Sequence, residues 1–255
     1  MRLAAMQPYL FPYIGYFQAI DAVDRYVLYS NVSYIKKGWI NRNRLLARDG
    51  SIITFTVPVA NKSSFTLIKD TEIDNSEPWA RRILKTIQTI YGKRPFFEET
   101  YPMIEKLLRT DYRLLKDLNS DCITSVAKHL EINTDMVTDN HQFDEMEKCL
   151  EQIDENFNPY EYLSKTHPTR KVSRVIEMCR HEACNEYVNA IGGQDMYKKE
   201  EFAQYGISLS FVKTNEIVYS QGLDGKFEPN LSIIDVLMNN GKEETKRLIK
   251  EYTLI

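Results

Sequence analysis

The sequence predicts an α/β protein: a Rossmann-like, mostly parallel sheet with flanking helices, a small β-rich insertion and a helical segment. Three observations predict it. The chain opens as strand, tight turn, helix and strand, which is the first unit of a doubly wound fold. Short apolar runs of strand length then alternate with amphipathic helical runs on both sides of the middle. No internal repeat divides the chain, so residues 1–255 read as one α/β domain.

Residues 2–6 form a short apolar run of strand length. Pro8 and Pro12 force an extended or turning path after it, because proline fixes φ and restricts the residue before it. Gly15 permits close packing, residues 16–22 read as a helix with Phe17 and Ile20 on one face, and RYVLY (25–29) is the second strand. Residues 30–75 read as the β-rich insertion: a basic, aromatic stretch, then SIITFTV (51–57) as a strand and residues 65–73 as another. Residues 76–130 are the helical segment. Its first helix is expected to use Ser76 as cap and Pro78 in the first turn, with Trp79, Ile83, Ile87 and Ile90 inward. Helices over 96–108 and 114–130 follow, then a short strand at 136–138. Residues 139–168 are acidic and poorly patterned, an excursion that could close as a lid. A helix over 172–184, a strand at 186–188, a helix over 196–205 and an alternating strand at 207–212 come next. Two helices, 231–238 and 242–252, separated by Gly241, end the chain.

Thirty-three basic against 36 acidic residues leave a formal charge of −3, so no global field draws the chain to DNA, RNA or an anionic membrane. Cys122, Cys149, Cys179 and Cys184 form no CxxC pair and read as reduced, structural thiols. His129, His141, His167 and His181 show no zinc spacing, so no bound metal is expected, and no cofactor is specified. No apolar run approaches the ~20 residues of a membrane span, and prolines and tyrosines interrupt the opening run where a signal peptide would continue. The chain reads as cytoplasmic, without an integral membrane segment or a DNA partner; a homodimer stays open.

Three clusters could carry ligand chemistry. MQPYLFPYIGYFQ (6–18) lies between the first strand and helix, a preferred ligand position in α/β folds. There Tyr9, Tyr13 and Tyr16 offer hydroxyls and flat faces to a base, sugar or acyl group; the alternative is that the rings anchor the first strand. KKGWINRNR (36–44) could clamp a diphosphate through its four positive charges, Lys36, Lys37, Arg42 and Arg44, with Trp39 stacking on a base or sugar and Asn41 or Asn43 reading hydroxyls. A solvated basic loop is the bland alternative. NAIGG (189–193) follows a strand, so Asn189, Gly192 and Gly193 could form a second anion-binding turn, with Tyr197 beside it and Arg174 approaching from the preceding helix. Among acid–base candidates, Asp235 sits in apolar SIIDVL and must find a partner or face an opening, and His167 falls in the lid candidate.

PYIGYFQAI is faintly similar to the strand–loop–helix of nucleotidyltransferases, with Tyr13 and Tyr16 where histidines would be expected. That departure counts against nucleotidyl transfer. A broader resemblance covers residues 6–245. MQPYLFPYIGYFQAIDAVDRYVLY, YIKKGWINRNRLL, FTVPV, YVNAIGG and LSIIDVLMNNGKEET together resemble the WbqC-like family. The motif positions here are Gln7, Pro8, Tyr9, Pro12, Gly15, Tyr16, Lys37, Trp39, Asn41, Arg42, Asn43, Asn189, Gly192, Gly193 and Asp235. VSRVIEMC keeps Arg174 but lacks an acidic residue expected in that helix. The resemblance implies a role in bacterial surface-polysaccharide (O-antigen) biosynthesis and an acyl or aminoacyl transfer, glycyl in some members, to an amino sugar or sugar nucleotide. On that reading Asp235 accepts a proton, Lys37, Arg42 and backbone N–H groups near Gly15 or Gly192 stabilise charge, and a phosphorylated sugar is the partner. The acyl donor is unspecified: aminoacyl-tRNA, an adenylate or a thioester. The competing readings are a non-enzymatic sugar-nucleotide-binding or scaffolding protein and a degenerate nucleotidyltransferase.

Overall fold

A computed structural model describes residues 1–60, 66–151, 169–223 and 227–255. The chain begins with β1 (Arg2–Met6), α1 (Ile14–Asp21) and β2 (Arg25–Leu28), followed by a hairpin of β3 (Arg42–Leu46) and β4 (Ile52–Thr56). Helices α2 (Trp79–Tyr91), α3 (Phe97–Arg109) and α4 (Leu115–His129) come next, then β5 (Asp135–Val137) and α5 (Asp144–Leu150). The remaining elements are α6 (Arg170–His181), β6 (Glu186–Ala190), α7 (Lys199–Ala203), β7 (Ser208–Thr214), α8 (Ile233–Ile249) and β8 (Tyr252–Leu254).

The main sheet has the order β5-β2-β1-β6-β7-β8. Every pairing in it is parallel except β7 with β8. Alternate residues of each strand point to opposite faces. Leu3, Val27, Tyr187, Leu209 and Phe211 join a buried cluster with Val175, Ile176 and Cys179 of α6 and Phe202 of α7. Ala4, Tyr26, Leu28, Val188 and Val212 join a larger one with Phe17 and Ile20 of α1 and Val236 and Leu237 of α8. Helices cover both faces, which is why the strands read as continuous apolar runs. The larger cluster extends through Leu10 and Phe11 to Ile83, Ile104, Leu118 and Ile123 of α2, α3 and α4.

Chain direction puts the carboxyl ends of β1, β2 and β6 along one edge. The chain leaves β1 toward β2 on one side, while β6 lies on the other, so the topological switch point falls between β1 and β6. Among the described residues no helix is long and apolar enough to cross a membrane.

Several local expectations differ from the structure. Residues 68–70 form a 3-10 turn rather than a strand; the Thr71 hydroxyl donates to the Leu67 carbonyl at 2.8 Å and closes it. Among the described residues isolated bridges, Ser33 with Leu67, Val59 with Ile73 and Glu72 with Leu114, stand where a ladder was expected, and residues 61–65 lie outside the described ones. Ser76 does not cap α2: Pro78 occupies that position, and the Ser76 amide donates to Asp74 instead. The helix expected over 196–205 shortens to Lys199–Ala203. In the excursion, residues 152–168 are outside the described ones, and residues 144–150 form α5.

Gly241 breaks α8 with φ 69° and ψ −176°, a region that essentially only glycine occupies. A Cβ there would stand 2.4 Å from the Phe96 ring. Gly241→Ala is expected to lower stability by about 3 kcal/mol through backbone strain and overpacking together, read from the urea midpoint at unchanged m-value.

Candidate functional site

The site is built on irregular backbone. Residues 7–13 run through the interior, with Leu10 and Phe11 fully buried, and most of their carbonyls accept a hydrogen bond. The Tyr16 hydroxyl donates to Gln7 O at 3.0 Å, and Asn119 Nδ2 donates to Pro8 O at 2.9 Å. Asn43 Nδ2 donates to both Leu10 O (3.0 Å) and Phe11 O (2.7 Å). Ser232 Oγ also donates to Phe11 O, and the Ile233 amide to Pro12 O. Held this way, the loop presents Gln7 and Tyr9 at the switch point.

A crevice lies there. It comprises two continuous cavities of about 320 and 960 Å³. Gln7, Val32, Lys171, Arg174, Met196 and Tyr197 line both. The smaller is bounded by Tyr9, Tyr29 and Tyr187 and by Asn189, Gly192 and Gly193 at the end of β6. A Cβ on Gly193 would meet Asn189 Nδ2 at 2.4 Å, whereas one on Gly192 would meet nothing within 4 Å. Gly192 therefore leaves a low wall over which a ligand can approach the backbone.

Charges of both signs line the larger cavity. Arg174 grips Glu147 with two bonds, Nε to Oε1 at 2.5 Å and Nη2 to Oε2 at 2.8 Å, while the Tyr29 hydroxyl donates to the same carboxylate. Burial, then Glu147, pushes the Tyr29 hydroxyl well above its ordinary range. Lys171, one turn before Arg174, is exposed and makes no ion pair among the described residues. On the opposite rim His141 Nδ1 lies 3.1 Å from Asp144 Oδ2. Asp144 Oδ1 also accepts from Lys69 Nζ at 2.8 Å and Asn31 Nδ2 at 3.1 Å. Lys69 first, then His141, holds the Asp144 carboxyl down to about 2, so it is ionised at neutral pH. The other ring nitrogen, Nε2, lies 4.0 Å from Asp139 Oδ1 on a largely exposed side chain; a carboxylate on Nδ1 with Nε2 as the reacting nitrogen is the arrangement that general-base catalysis uses.

A separate cavity of about 330 Å³ is lined by Tyr9, Pro12, Tyr13, Trp39, Asn43, Arg44 and Asn230. Tyr9 therefore lines both this cavity and the crevice. The guanidinium carbons of Arg42 and Arg44 each lie 5.5 Å from the centre of the half-exposed Trp39 ring.

Residues 7–247 match the WbqC-like protein family. The chain belongs to that family. An uncharacterized protein of Mycobacterium tuberculosis (strain H37Rv) is 26% identical over 244 residues, 95% of each chain. No solved structure gives a significant match.

In this WbqC-like protein the residues singled out from sequence take separate places. Gln7, Tyr9, Arg174, Asn189, Gly192, Gly193 and Tyr197 gather around the crevice. Tyr13, Trp39 and Asn43 line the neighbouring cavity. Tyr16 is buried under the loop, and Gly15 packs so closely that a Cβ would stand 2.4 Å from the Tyr13 ring. Asn41 is buried and donates to Val57 O at 2.7 Å. Lys37 sits on an exposed turn with φ 61°, and its carbonyl and that of Gly38 accept from Arg42. His167 lies outside the described residues. Asp235 is 1% exposed and lines neither cavity; it accepts from Tyr91 Oη (2.7 Å) and Tyr219 Oη (3.1 Å). Sequence reading missed His141, Asp144, Glu147, Lys69 and Lys171. The spacing His141-x-x-Asp144 directly after β5 was the available signal.

Burial pushes the Asp235 carboxyl up to about 6, outweighing the Tyr91 and Tyr219 hydroxyls that favour its ionised form. A carboxyl raised on folding contributes stability that is full below its unfolded pKa and is lost as pH rises through about 6. Asp235→Asn removes that titration. Its stability relative to the parent should therefore rise between pH about 4 and about 7, by up to about 3 kcal/mol, measured by urea unfolding at each pH.

Proposed function

We propose that this WbqC-like protein binds a phosphorylated amino sugar or sugar nucleotide in the crevice between β1 and β6 and transfers an acyl group, of the aminoacyl type, to its amine. The observation that carries the reading is the mixed charge of the crevice. Lys171 offers a cation to a phosphate, and Glu151 on the same cavity offers a carboxylate to an amine, while Glu145 beside it is paired with Lys148 at 2.6 Å. A ligand carrying both a phosphate and an amino group matches that lining better than a polyanion would. The tyrosines at 9 and 197 provide flat faces for a sugar ring, and Gln7 and Asn189 provide amides for its hydroxyls.

On this reading His141 Nε2 takes the proton from the amine as its nitrogen attacks the acyl carbon. The bond from that carbon to the leaving group then breaks, and the proton passes to the leaving group. Asp144 keeps the imidazole oriented and stabilises its charged form. The cavity at Trp39 would receive the nucleoside end of a sugar nucleotide, by stacking and by the adjacent arginines. Such chemistry agrees with a step in bacterial surface-polysaccharide biosynthesis. It needs an activated acyl donor, whether aminoacyl-tRNA, adenylate or thioester.

Binding of UDP- and dTDP-amino sugars, measured by calorimetry, tests the reading. Lys171→Ala should weaken every phosphorylated sugar by about tenfold, whereas Trp39→Ala should weaken the nucleotide sugars and leave the sugar 1-phosphates unchanged. His141→Asn should keep binding within about twofold while lowering kcat by roughly 100-fold. Failure of every sugar phosphate to bind overturns the proposal. Tight binding with no acyl transfer from any donor class favours a non-enzymatic carrier or scaffold.

A further inference from the structure

The carboxyl end of α6 closes in a way that joins two cysteines. The Cys184 amide donates to Cys179 O at 2.8 Å, and the Ala183 amide donates to Arg180 O at 3.1 Å. Ala183 between them takes the left-handed conformation, φ 51°. These are the bonds of a Schellman motif, with Cys179 three residues inside the helix end and Cys184 two residues beyond it. The motif brings the side chains of those two positions into contact, usually as an apolar pair. Here both are thiols, and Cys184 packs against the buried cluster that contains Cys179.

The two thiols differ in surroundings. Cys179 is fully buried against the sheet, while Cys184 is half-buried at the surface. The neighbouring Cys179 thiol, and further the Glu186 backbone N–H, lower the Cys184 thiol against the opposing effect of burial, and the same neighbourhood pushes Cys179 up. The other two thiols lack this arrangement: Cys122 is buried in α4 and raised by burial, and Cys149 is exposed on α5.

We propose that Cys184 and Cys179 form a peroxide-oxidisable dithiol site, with Cys184 as the attacking thiol and Cys179 as the resolving one. The Cys184 thiolate attacks one peroxide oxygen; the O–O bond breaks, hydroxide leaves and takes up a proton, and Cys184 becomes a sulfenic acid. The Cys179 sulfur then attacks the Cys184 sulfur. The S–O bond breaks, the Cys179 proton and the departing hydroxide leave as water, and a disulfide forms. Both thiols together give up two hydrogens and two electrons, and one peroxide becomes two waters. A disulfide-reducing thiol reverses the change. The staple falls at the joint between α6, which carries Lys171 and Arg174, and β6, which carries Asn189, so oxidation bears on two walls of the crevice at once.

The test uses the full chain carrying Cys149→Ser, which removes the exposed thiol able to cross-link copies. Limited hydrogen peroxide, followed by alkylation and peptide mass mapping, should give a cross-linked Cys179–Cys184 peptide, the loss of two titratable thiols per chain, and recovery of both with dithiothreitol. Adding Cys184→Ser should abolish the loss of both thiols. Adding Cys179→Ala instead should stop the reaction at a Cys184 sulfenic acid that dimedone traps. A Cys184 that proceeds to sulfinic acid in the presence of Cys179, or a chain whose thiol count peroxide leaves unchanged, overturns the proposal. None of these readouts depends on a sugar ligand or on acyl transfer.

Discussion

A buried loop with no ladder of its own must find partners for its polar backbone groups, and the carbonyls of residues 8 and 10–12 meet that demand through segments far apart in the chain. Prolines 8 and 12 have no N–H, which leaves carbonyls as the larger part of the problem. Asn43 comes from β3, Asn119 from α4, and Ser232 and Ile233 from the start of α8, and all converge on this one stretch. Asn119 also donates to Ile40 O at 2.7 Å, so the same amide ties the hairpin's approach to the loop. Loss of one such buried amide leaves carbonyls without partners, a cost of about 1–3 kcal/mol each. The loop also holds Phe11 at φ 41°, an uncommon conformation for a bulky side chain, which persists because its surroundings over-determine it. The insertion and the helical segment thus act as a clamp around the exit of β1.

The clamp explains how the crevice keeps its shape. Gln7 and Tyr9 are fixed from below by that network, and Asn189 and Gly192 by the pairing of β6 with β1 and β7. The third wall is tied differently. Asn140 Oδ1 accepts from the Ser30 amide and hydroxyl at 2.5 and 2.9 Å, and Asn31 Nδ2 reaches the Asn140 carbonyl at 3.2 Å. This bond set anchors the chain just before α5 to the exit of β2, and with it His141, Asp144 and Glu147. Glu147 then joins α5 to α6 through Arg174. The Arg174 guanidinium is thus already committed to a carboxylate, and a ligand phosphate would compete with Glu147 for it, whereas Lys171 carries no such competitor among the described residues.

Much of the sheet was legible because strands buried on both faces leave short apolar runs, as in β1 and β2, and because β7 alternates. β3 was not, because RNRLL alternates charge with a buried asparagine, and what makes Asn43 buried is the distant loop it serves. β8 was lost for another reason: three residues after a helix carry too short a pattern, and only β7 beside them makes them a strand. At the site, Gln7, Asn189 and Gly192 stood out because residues at strand ends in an α/β fold have a known geometry. His141 did not, because its standing depends on Asp144, Lys69 and Asn31, which meet only after the chain between β2 and β5 has folded.

The blocks of sequence that resemble the family accordingly divide into two tasks in this structure. Tyr16, Asn41, Asn43 and Asp235 spend their polar atoms on buried backbone or on one another's neighbours: Tyr16 on Gln7 O, Asn41 on Val57 O, Asn43 on the loop, Asp235 on Tyr91 and Tyr219. Gln7, Tyr9, Asn189 and Gly192 face the crevice. A motif dense in aromatic and amide side chains can therefore mark membership while part of it satisfies buried polar groups and part of it lines the cavities. Groups able to move a proton at the crevice rim lie outside those blocks, at His141 and Asp144.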